Sequence, residues 1–300
     1  MDIALRLAVT VLEEGFIYGI MAMGIYIPYS VLHFPDLSVD GTFPLGACLT
    51  AVLIAAGVNP LVALVAAFGA GCLAGLVTGL LHVKLRVSDL LSGILVMTAL
   101  WSVNLVILSG RSILAFYNKP TIFNSGLAAM LEGGLYTRRV LILLTVLVIV
   151  IKLLIDAYFR TKNGLLLRAV GDNSQFVTAL GVSPGAMKIL GLMLGNGLTA
   201  MAGSVLAQQA ESANISSGTG MVVMGLASVI IGTSLLGGIR FLKPTTMVII
   251  GSVIYKACLT GAMQMGLSTN YLKLLMTVLF VAALVLGHAL EGRRQHAKAR

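Results

Sequence analysis

Charged side chains are scarce in this chain. Only 10% of its 300 residues are Asp, Glu, Lys or Arg, whereas 58% are hydrophobic and the mean hydropathy is +1.00. Soluble globular domains carry roughly 25% charged residues, so an ordinary soluble domain is excluded. Apolar runs recur along the sequence, and a segment of about 20 apolar residues must be helical where it crosses a bilayer, because hydrocarbon offers its backbone no hydrogen-bond partner. The composition predicts an all-α, polytopic membrane protein with residues 1–300 in a single transmembrane domain.

Motifs for catalysis and metal binding are also lacking. The chain contains no phosphate loop of the form GxxxxGK[ST], no HExxH and no GxSxG, and its four histidines are scattered. The three cysteines lie in apolar segments without ligand spacing, which indicates small core residues rather than a disulfide framework or a zinc site. We expect no catalytic residue, no metal and no cofactor, so any ATP hydrolysis has to come from another chain.

The net charge of +9 reflects membrane topology rather than nucleic-acid binding, since no basic patch is interleaved with aromatics. Apolar runs between polar breaks predict about nine spans, near residues 15–32, 37–57, 60–81, 90–108, 139–158, 186–209, 219–238, 245–263 and 271–290. With a cytoplasmic C-terminus, 13 of the 20 lysines and arginines lie on or next to the cytoplasmic side, a positive-inside bias. The N-terminus is then outside and leads along the interface into the first span.

Residues 33–46, HFPDLSVDGTFPLG, interrupt two apolar runs with prolines and carboxylates. One interpretation is a cytoplasmic turn between two spans, and the other is a broken helix at membrane depth whose freed backbone groups line a cavity. Carboxylates near the bilayer interior usually face a bundle interior or an aqueous path, which makes Asp36 and Asp40 candidate site residues. The two would share one face if the segment were helical, or could act as helix caps.

Residues 225–238 carry small and hydroxyl side chains within an apolar span. Helix packing explains this composition, and so does a pore lining formed by Gly232, Thr233 and Ser234. Other glycines at four-residue spacing predict close helix packing, at Gly71, Gly75 and Gly79 and at Gly191 and Gly195.

Lys256 is the lone charge in its predicted span. It could snorkel to the interface, pair with an acid such as Asp36 or Asp40, or meet an anionic substrate. The amides Asn104, Asn196, Gln208 and Gln209 are expected to hydrogen-bond between helices or to lie at the outer rim.

The polar run at residues 160–184 separates two long apolar segments. Its centre, GDNSQFVTALGV, predicts a short helix whose N-terminus Asp172, Asn173 or Ser174 caps. Gly181 can end this helix in a left-handed conformation. Phe176 and Leu180, four residues apart, give the helix an apolar edge to bury.

Three segments together resemble a known family. PDLSVDGTFPLGA, GLLLRAVGDNSQFVTALGV and IIGTSLLGG resemble, in that order, motifs of the permease subunits of ATP-binding-cassette importers of the branched-chain amino acid and ribose type. Within that superfamily, FPDLSVDGTFPLGA and SGILVMTALWSVNLVILSGRS are most similar to tryptophan/tyrosine transport system permeases. Asp40 stands where a Gly is usual and Ile231 replaces the first Gly of GGTSL, which weakens any transfer of a sugar substrate.

The resemblance implies a permease subunit in a bacterial plasma membrane that forms the path for a small organic solute. The solute is expected to be an amino acid, with an aromatic amino acid as the narrower expectation. Its implied partners are membrane lipid, a second permease subunit, expected as a homodimer, two ATP-binding subunits and an extracellular solute-binding protein. A cytoplasmic coupling helix would contact the ATPases through Gly164, Arg168, Ala169, Gly171, Asp172, Asn173, Ala179 and Gly181, beside Phe176 and Leu180. The matching pathway positions are Asp36, Ser38, Asp40, Thr233 and Ser234.

Two other functions remain open on the residues alone. An ion-coupled secondary carrier or channel would use Asp36, Asp40 and Lys256 as an ion or proton relay. A non-transporting membrane scaffold would not use these groups, so replacing Asp36 and Asp40 by Asn should cause no loss of flux. The ordered basic loop favours the importer permease, because a secondary carrier needs no cytoplasmic lever.

Overall fold

The computed structural model describes residues 3–125, 138–239, 241–266, 271 and 273–285, with side chains from Leu5 onward. The longer helices in these ranges are α1 (Ile3–Tyr26), α2 (Val39–Ala55), α3 (Pro60–Val83), α4 (Asp89–Ile107), α5 (Arg139–Tyr158), α8 (Pro184–Ala210), α9 (Met221–Leu236) and α10 (Pro244–Gln264). The shorter elements are a π-helical turn (Ile27–Val31), β1 (Ile113–Ala115), α6 (Lys162–Asp172), α7 (Ser174–Ala179), β2 (Ser212–Asn214), a 3₁₀ turn (Ile215–Gly218) and α11 (Lys273–Val285). The prediction of an all-α, polytopic membrane protein is confirmed.

Seven of the described helices are long and apolar enough to cross a membrane. Two shorter apolar helices, α2 and α11, occupy the predicted spans 37–57 and 271–290. The C-terminal tail, Arg240 and part of the loop between α4 and α5 lie outside the described residues. The first span was predicted from residue 15, and its helix begins earlier, at Ile3, because no Gly or Pro interrupts it before Gly15. The residues expected to form an interfacial lead-in are the first turns of this helix.

Helix α8 lies at the centre of the bundle and packs against α1, α2 and α3. The glycine prediction is confirmed in its contact with α3: the α-carbons of Gly71, Gly75 and Gly79 face Asn196, Leu192 and Ile189. A methyl group on Gly75 would lie 2.8 Å from the α-carbon of Met193. The two backbones therefore approach closely only because side chains are absent.

The chain breaks its helix between α1 and α2. After the π-helical turn, which contains Pro28, residues 33–38 are non-helical, and His33 has a positive φ of 52°. Proline cannot donate a backbone hydrogen bond, which favours the end of a helix here. Asp36 and Ser38 contact Asn196 in the middle of α8, so α2 begins inside the bundle. The burial of both residues among the helices supports the broken helix over a simple turn between two spans.

A second helix, α9, also begins inside the bundle. Gly225, in its second turn, packs against Met21 and Ile25 in the middle part of the first span. The first turns of α2 and α9 meet at Asp40. Discontinuous helices of this kind are a feature of transport proteins, because backbone at membrane depth must be enclosed by protein.

The two strands lie beyond the C-terminal end of α8. They pair antiparallel, with Ile113 opposite Asn214 and Ala115 opposite Ser212. Gln208 accepts a hydrogen bond from Ile122 N–H and donates one to the carbonyl of Pro60. These contacts close the strand end of the bundle, while α6 and α7 lie at the opposite end of α8, before Pro184.

Candidate functional site

A buried polar centre joins the break to α8. It consists of Asp36, Ser38, Thr42 and Asn196, of which Asp36 is the most exposed at 6%. The Asn196 amide donates to Asp36 Oδ2 at 2.7 Å, and its oxygen accepts from Ser38 Oγ at 3.0 Å and Thr42 Oγ1 at 2.7 Å. The Ser38 N–H donates to Asp36 Oδ1 at 2.8 Å. Each polar group has a partner, which compensates for its burial.

The polar centre fixes where α2 starts relative to α8. Asn196 also donates to the carbonyl of Leu192, one turn earlier in its own helix, so its amide orientation is defined on both sides. Its prediction as an interhelical hydrogen-bond partner is confirmed, and so is that of Asn104, which donates to the carbonyl of Gly41. Thr42 was not among the predicted site residues, although it follows Ser38 by one helical turn and lies on the same face.

Asp40 binds the start of α9. Its carboxylate accepts the N–H of Gly220 at 3.0 Å and that of Val222 at 2.8 Å. A carboxylate at this position accepts hydrogen bonds from N–H groups that have no partner within the helix. The positive end of the helix dipole also stabilises its negative charge. Asp36 and Asp40 would share a face only in a helical segment, and this condition is not met, because α2 begins only at Val39. As a cap, Asp40 serves another helix rather than its own.

In the segment 225–238, Gly232 serves the packing of α9 against α10. The α-carbon of Gly232 faces the backbone of Met247 and Val248 on α10. The hydroxyl of Thr233 donates to the carbonyl of Val229 at 2.8 Å, within its own helix. These contacts support the packing interpretation for Gly232. Ser234 is buried in the same turn.

Lys256 pairs with Glu14 and lies 5.2 Å from the ring centroid of Tyr18. Of the three alternatives for Lys256, pairing with an acid is the one observed, and that acid is Glu14 rather than Asp36 or Asp40. The signal was available, because Glu14 lies within an apolar helix where an unpaired carboxylate is costly.

The polar run between α5 and α8 holds two helices rather than one. Thr161 caps α6 by accepting the Gly164 N–H at 3.3 Å. Asn173 caps α7 by accepting the N–H groups of Gln175 and Phe176 at 3.0 and 3.1 Å. Of the three predicted capping residues, Asn173 is the one used. Helix α6 was missed, although Gly164, Leu167 and Val170 have the spacing of a buried helical face.

Helix α6 contacts the broken segment directly. The α-carbon of Gly171 faces the carbonyl of Val31, at the end of the π-helical turn. Leu167 and Leu32 both pack where a side chain on Gly191 would lie. Any rigid-body movement of α6 therefore acts on the turn that leads to Asp36.

One edge of the α6–α7 segment is apolar and uncovered. Phe176 and Leu180 are each 56% exposed, whereas Val177 between them is buried. The left-handed Gly181, with a φ of 76°, ends the segment as predicted. Arg168 points elsewhere: its guanidinium lies 4.5 Å from the ring centroid of Phe159 at the end of α5.

Other predicted coupling positions differ in exposure. Asp172, Asn173 and Ala179 are exposed, while Ala169 is half-buried against the core. Among the residues that the structure describes, no group of three or more His, Cys, Asp or Glu side chains could hold a metal ion.

The helices, the break and the buried polar centre define a multi-pass, all-α membrane protein of transporter type. The chain belongs to the family described as branched-chain amino acid transport system / permease component, which matches residues 7–284. The resemblance to permeases of ATP-binding-cassette importers is thereby confirmed, and the chain is a transport subunit.

Known relatives span nearly the whole chain. It is 40% identical to the tyrosine transport system permease protein of Clostridioides difficile (strain R20291), over 93% of this chain and 91% of the relative. Identity to the ribose import permease protein of Escherichia coli (strain K12) is 27%, over 92% and 83%. Identity to an inner membrane ABC transporter permease protein of the same strain is 28%, over 78% and 69%. No solved structure matches.

Proposed function

We propose that this chain forms the translocation path for an aromatic amino acid and couples that path to ATP hydrolysis on a separate subunit. The similarity to a tyrosine transport system permease over 93% of the chain supports the substrate class. The sugar permeases are more distant, at 27% identity for the ribose relative.

Coupling is proposed to enter through the exposed edge of α7. Phe176 and Leu180 would fill a groove on an ATP-binding subunit, because burying exposed apolar side chains in a partner's groove gives a favourable free energy of binding. Movement of α7 carries α6 with it, because only Asn173 separates the two helices. Gly171 then transmits the displacement to Val31 by backbone contact.

The path is proposed to pass the polar centre. Asp36, Ser38, Asp40, Thr233 and Ser234 remain the proposed pathway residues, and the displaced π-helical turn would reposition the first two. Alternating access requires two states of the permease that differ in the position of this turn. The two states must also differ in their affinity for the ATP-binding subunits when these have closed around ATP. The present contacts represent one of those states.

The assembly proposed for this mechanism has two permease subunits, most simply as a homodimer, and two ATP-binding subunits on the α6 side. A solute-binding protein would dock at the strand end. The membrane would be a bacterial plasma membrane with the C-terminus in the cytoplasm, in accord with the distribution of lysines and arginines.

Exchanging Phe176 for Glu tests the coupling proposal. Phe176→Glu places a charge on the apolar edge, and we expect tyrosine uptake and ATPase co-purification to fall at least about tenfold. The matched control is Thr178→Glu, which adds the same charge to another exposed face of α7. Both variants should keep the unfolding temperature of the parent protein. Uptake of labelled tyrosine, with tryptophan and ribose as competitors, is measured in cells that express all subunits.

The outcomes separate the candidate functions. Full uptake by Phe176→Glu, driven by an ion gradient, would contradict coupling and favour the secondary carrier. Competition by ribose but not by tryptophan would contradict the substrate class and leave the coupling proposal intact.

A further inference from the structure

A cleft opens between the C-terminal end of α5, the helix α6 and the start of α10. Its volume is about 210 Å³, and Tyr26, Phe159, Arg160, Arg168 and Lys243 line it together with Asp156. The apolar edge at Phe176 and the polar centre around Asn196 both lie outside it. Its walls come from elements that are distant in sequence, so it exists only in the folded bundle.

The single carboxylate in the cleft is already neutralised. Asp156 Oδ2 lies 2.9 Å from Lys243 Nζ and 3.0 Å from Lys152 Nζ, and Asp156 Oδ1 accepts the Thr245 hydroxyl at 2.7 Å. These contacts hold α5 against the start of α10.

Two guanidinium groups remain without a carboxylate. Within the described ranges, neither Arg160 nor Arg168 makes an ion pair. Arg168 is instead held over the ring of Phe159, which leaves its N–H groups free to turn into the cleft. The cleft is therefore lined by three cations, Arg160, Arg168 and Lys243, and by one carboxylate, which Lys152 also neutralises from outside the cleft.

The start of α10 adds to this positive potential. Pro244 and Thr245 line the cleft, and no side chain caps the helix at Lys243. Pro244 carries no N–H, and Thr246 and Met247 donate theirs to the carbonyl of Lys243, so this terminus offers a bound anion the Thr245 N–H and the positive end of the helix dipole.

We propose that the cleft binds a phosphate-bearing anionic group, with the guanidinium forks of Arg160 and Arg168 as its main ligands. Arginine forks match phosphate oxygens in pairs, which gives both strength and orientation. An acidic phospholipid headgroup is the occupant that the position favours. The cleft lies at the end of α5 and the start of α10, where helices that cross a bilayer reach the headgroups, and the neighbouring Leu153 and Leu154 are exposed on α5, where acyl chains would lie. A soluble phosphate has the same chemistry and is the other source.

Occupancy would tie α6 to α5 and α10 through one ligand. This site is separate from the ATPase contact proposed at Phe176, because Phe176 lies on α7 and does not line the cleft. An anion bound in the cleft would therefore restrain α6, the same helix that is proposed to transmit coupling.

The test compares Arg160→Gln/Arg168→Gln with Lys162→Gln in the full-length purified protein. Lys162 lies on α6 outside the cleft and is exposed, so its variant controls for the loss of one positive charge and is compared with Arg160→Gln alone as well as with the double variant. Native mass spectrometry and thermal unfolding follow titrations with dioleoylphosphatidylglycerol, dioleoylphosphatidylcholine, inorganic phosphate and pyrophosphate. We expect the parent to prefer phosphatidylglycerol over phosphatidylcholine, and the double variant to bind it about thirtyfold more weakly.

Each result decides for or against the site. Phosphate or pyrophosphate stabilisation that the double variant loses, without lipid preference, supports the site with a soluble occupant. Unchanged lipid and phosphate binding in the double variant overturns it, as does an equal loss in Lys162→Gln or no binding by the parent. If the double variant does not fold, Arg160→Gln alone replaces it, because Arg160 is exposed and makes no described ion pair.

Discussion

Single residues decide how closely the helices of this bundle can approach. On α3, Gly75 faces the backbone of α8, whereas Gly69 faces outward, and a methyl group added to it would have no neighbouring atom within 4 Å. The same residue type therefore has opposite meanings on two faces of one helix. A close approach tolerates no side chain, while an outward glycine only weakens its helix.

Replacing these two glycines by alanine should give opposite effects. Gly75→Ala forces α3 and α8 apart and should lower the free energy of unfolding by about 1–3 kcal/mol. Gly69→Ala should be neutral or stabilising by up to about 1 kcal/mol, through helix propensity. Unfolding in detergent, followed by circular dichroism, measures both. Equal stability of the two variants would contradict the packing described for α3 and α8.

At the scale of elements, α7 depends on its cap more than the spans do. It has six residues, and an isolated helix of this length is unstable in water. Asn173 supplies the acceptor for two of its free N–H groups, and Val177 supplies its buried anchor. The spans, in contrast, are held by burial along their length.

Asn173→Ala should loosen α7 and leave the bundle intact. Loss of the cap costs about 1 kcal/mol, which is large for so short a helix. Amide hydrogen exchange should rise at residues 174–180 and stay unchanged in α8. Asn173→Asp keeps an acceptor oxygen and should retain protection. An increase in exchange spread evenly over the spans would argue against a local role for the cap.

For the whole molecule, the ion pair of Glu14 and Lys256 joins the first span to α10. Neutralising one partner leaves the other as an unpaired, partly buried charge, while neutralising both leaves no charge there. Glu14→Gln should therefore lower the free energy of unfolding by on the order of 3 kcal/mol, and Lys256→Met by a similar amount.

The double variant Glu14→Gln/Lys256→Met should recover much of that loss. A double-mutant cycle of unfolding free energies gives the coupling between the two side chains. Strictly additive losses would show that the pair does not contribute as a unit.

The local patterns of the sequence predicted the span positions, the broken helix as one of two interpretations, the glycine packing faces and the helix end at Gly181. They did so because hydropathy, proline and glycine act within a few residues of where they occur. The same patterns missed α6, whose buried face is short and lies between charged residues. Capping chemistry narrowed the start of α7 to three residues without choosing among them.

The sequence by itself determined that the chain is an all-α membrane protein with costly polar groups at Asp36, Asp40 and Lys256. Only the tertiary structure decided their partners, which are Asn196, the start of α9 and Glu14. A buried polar group must find a partner at its own depth and on the face that its helix turns inward. Depth and rotation are set by the packing of all the helices together, so they follow from the assembled bundle rather than from any local run of residues.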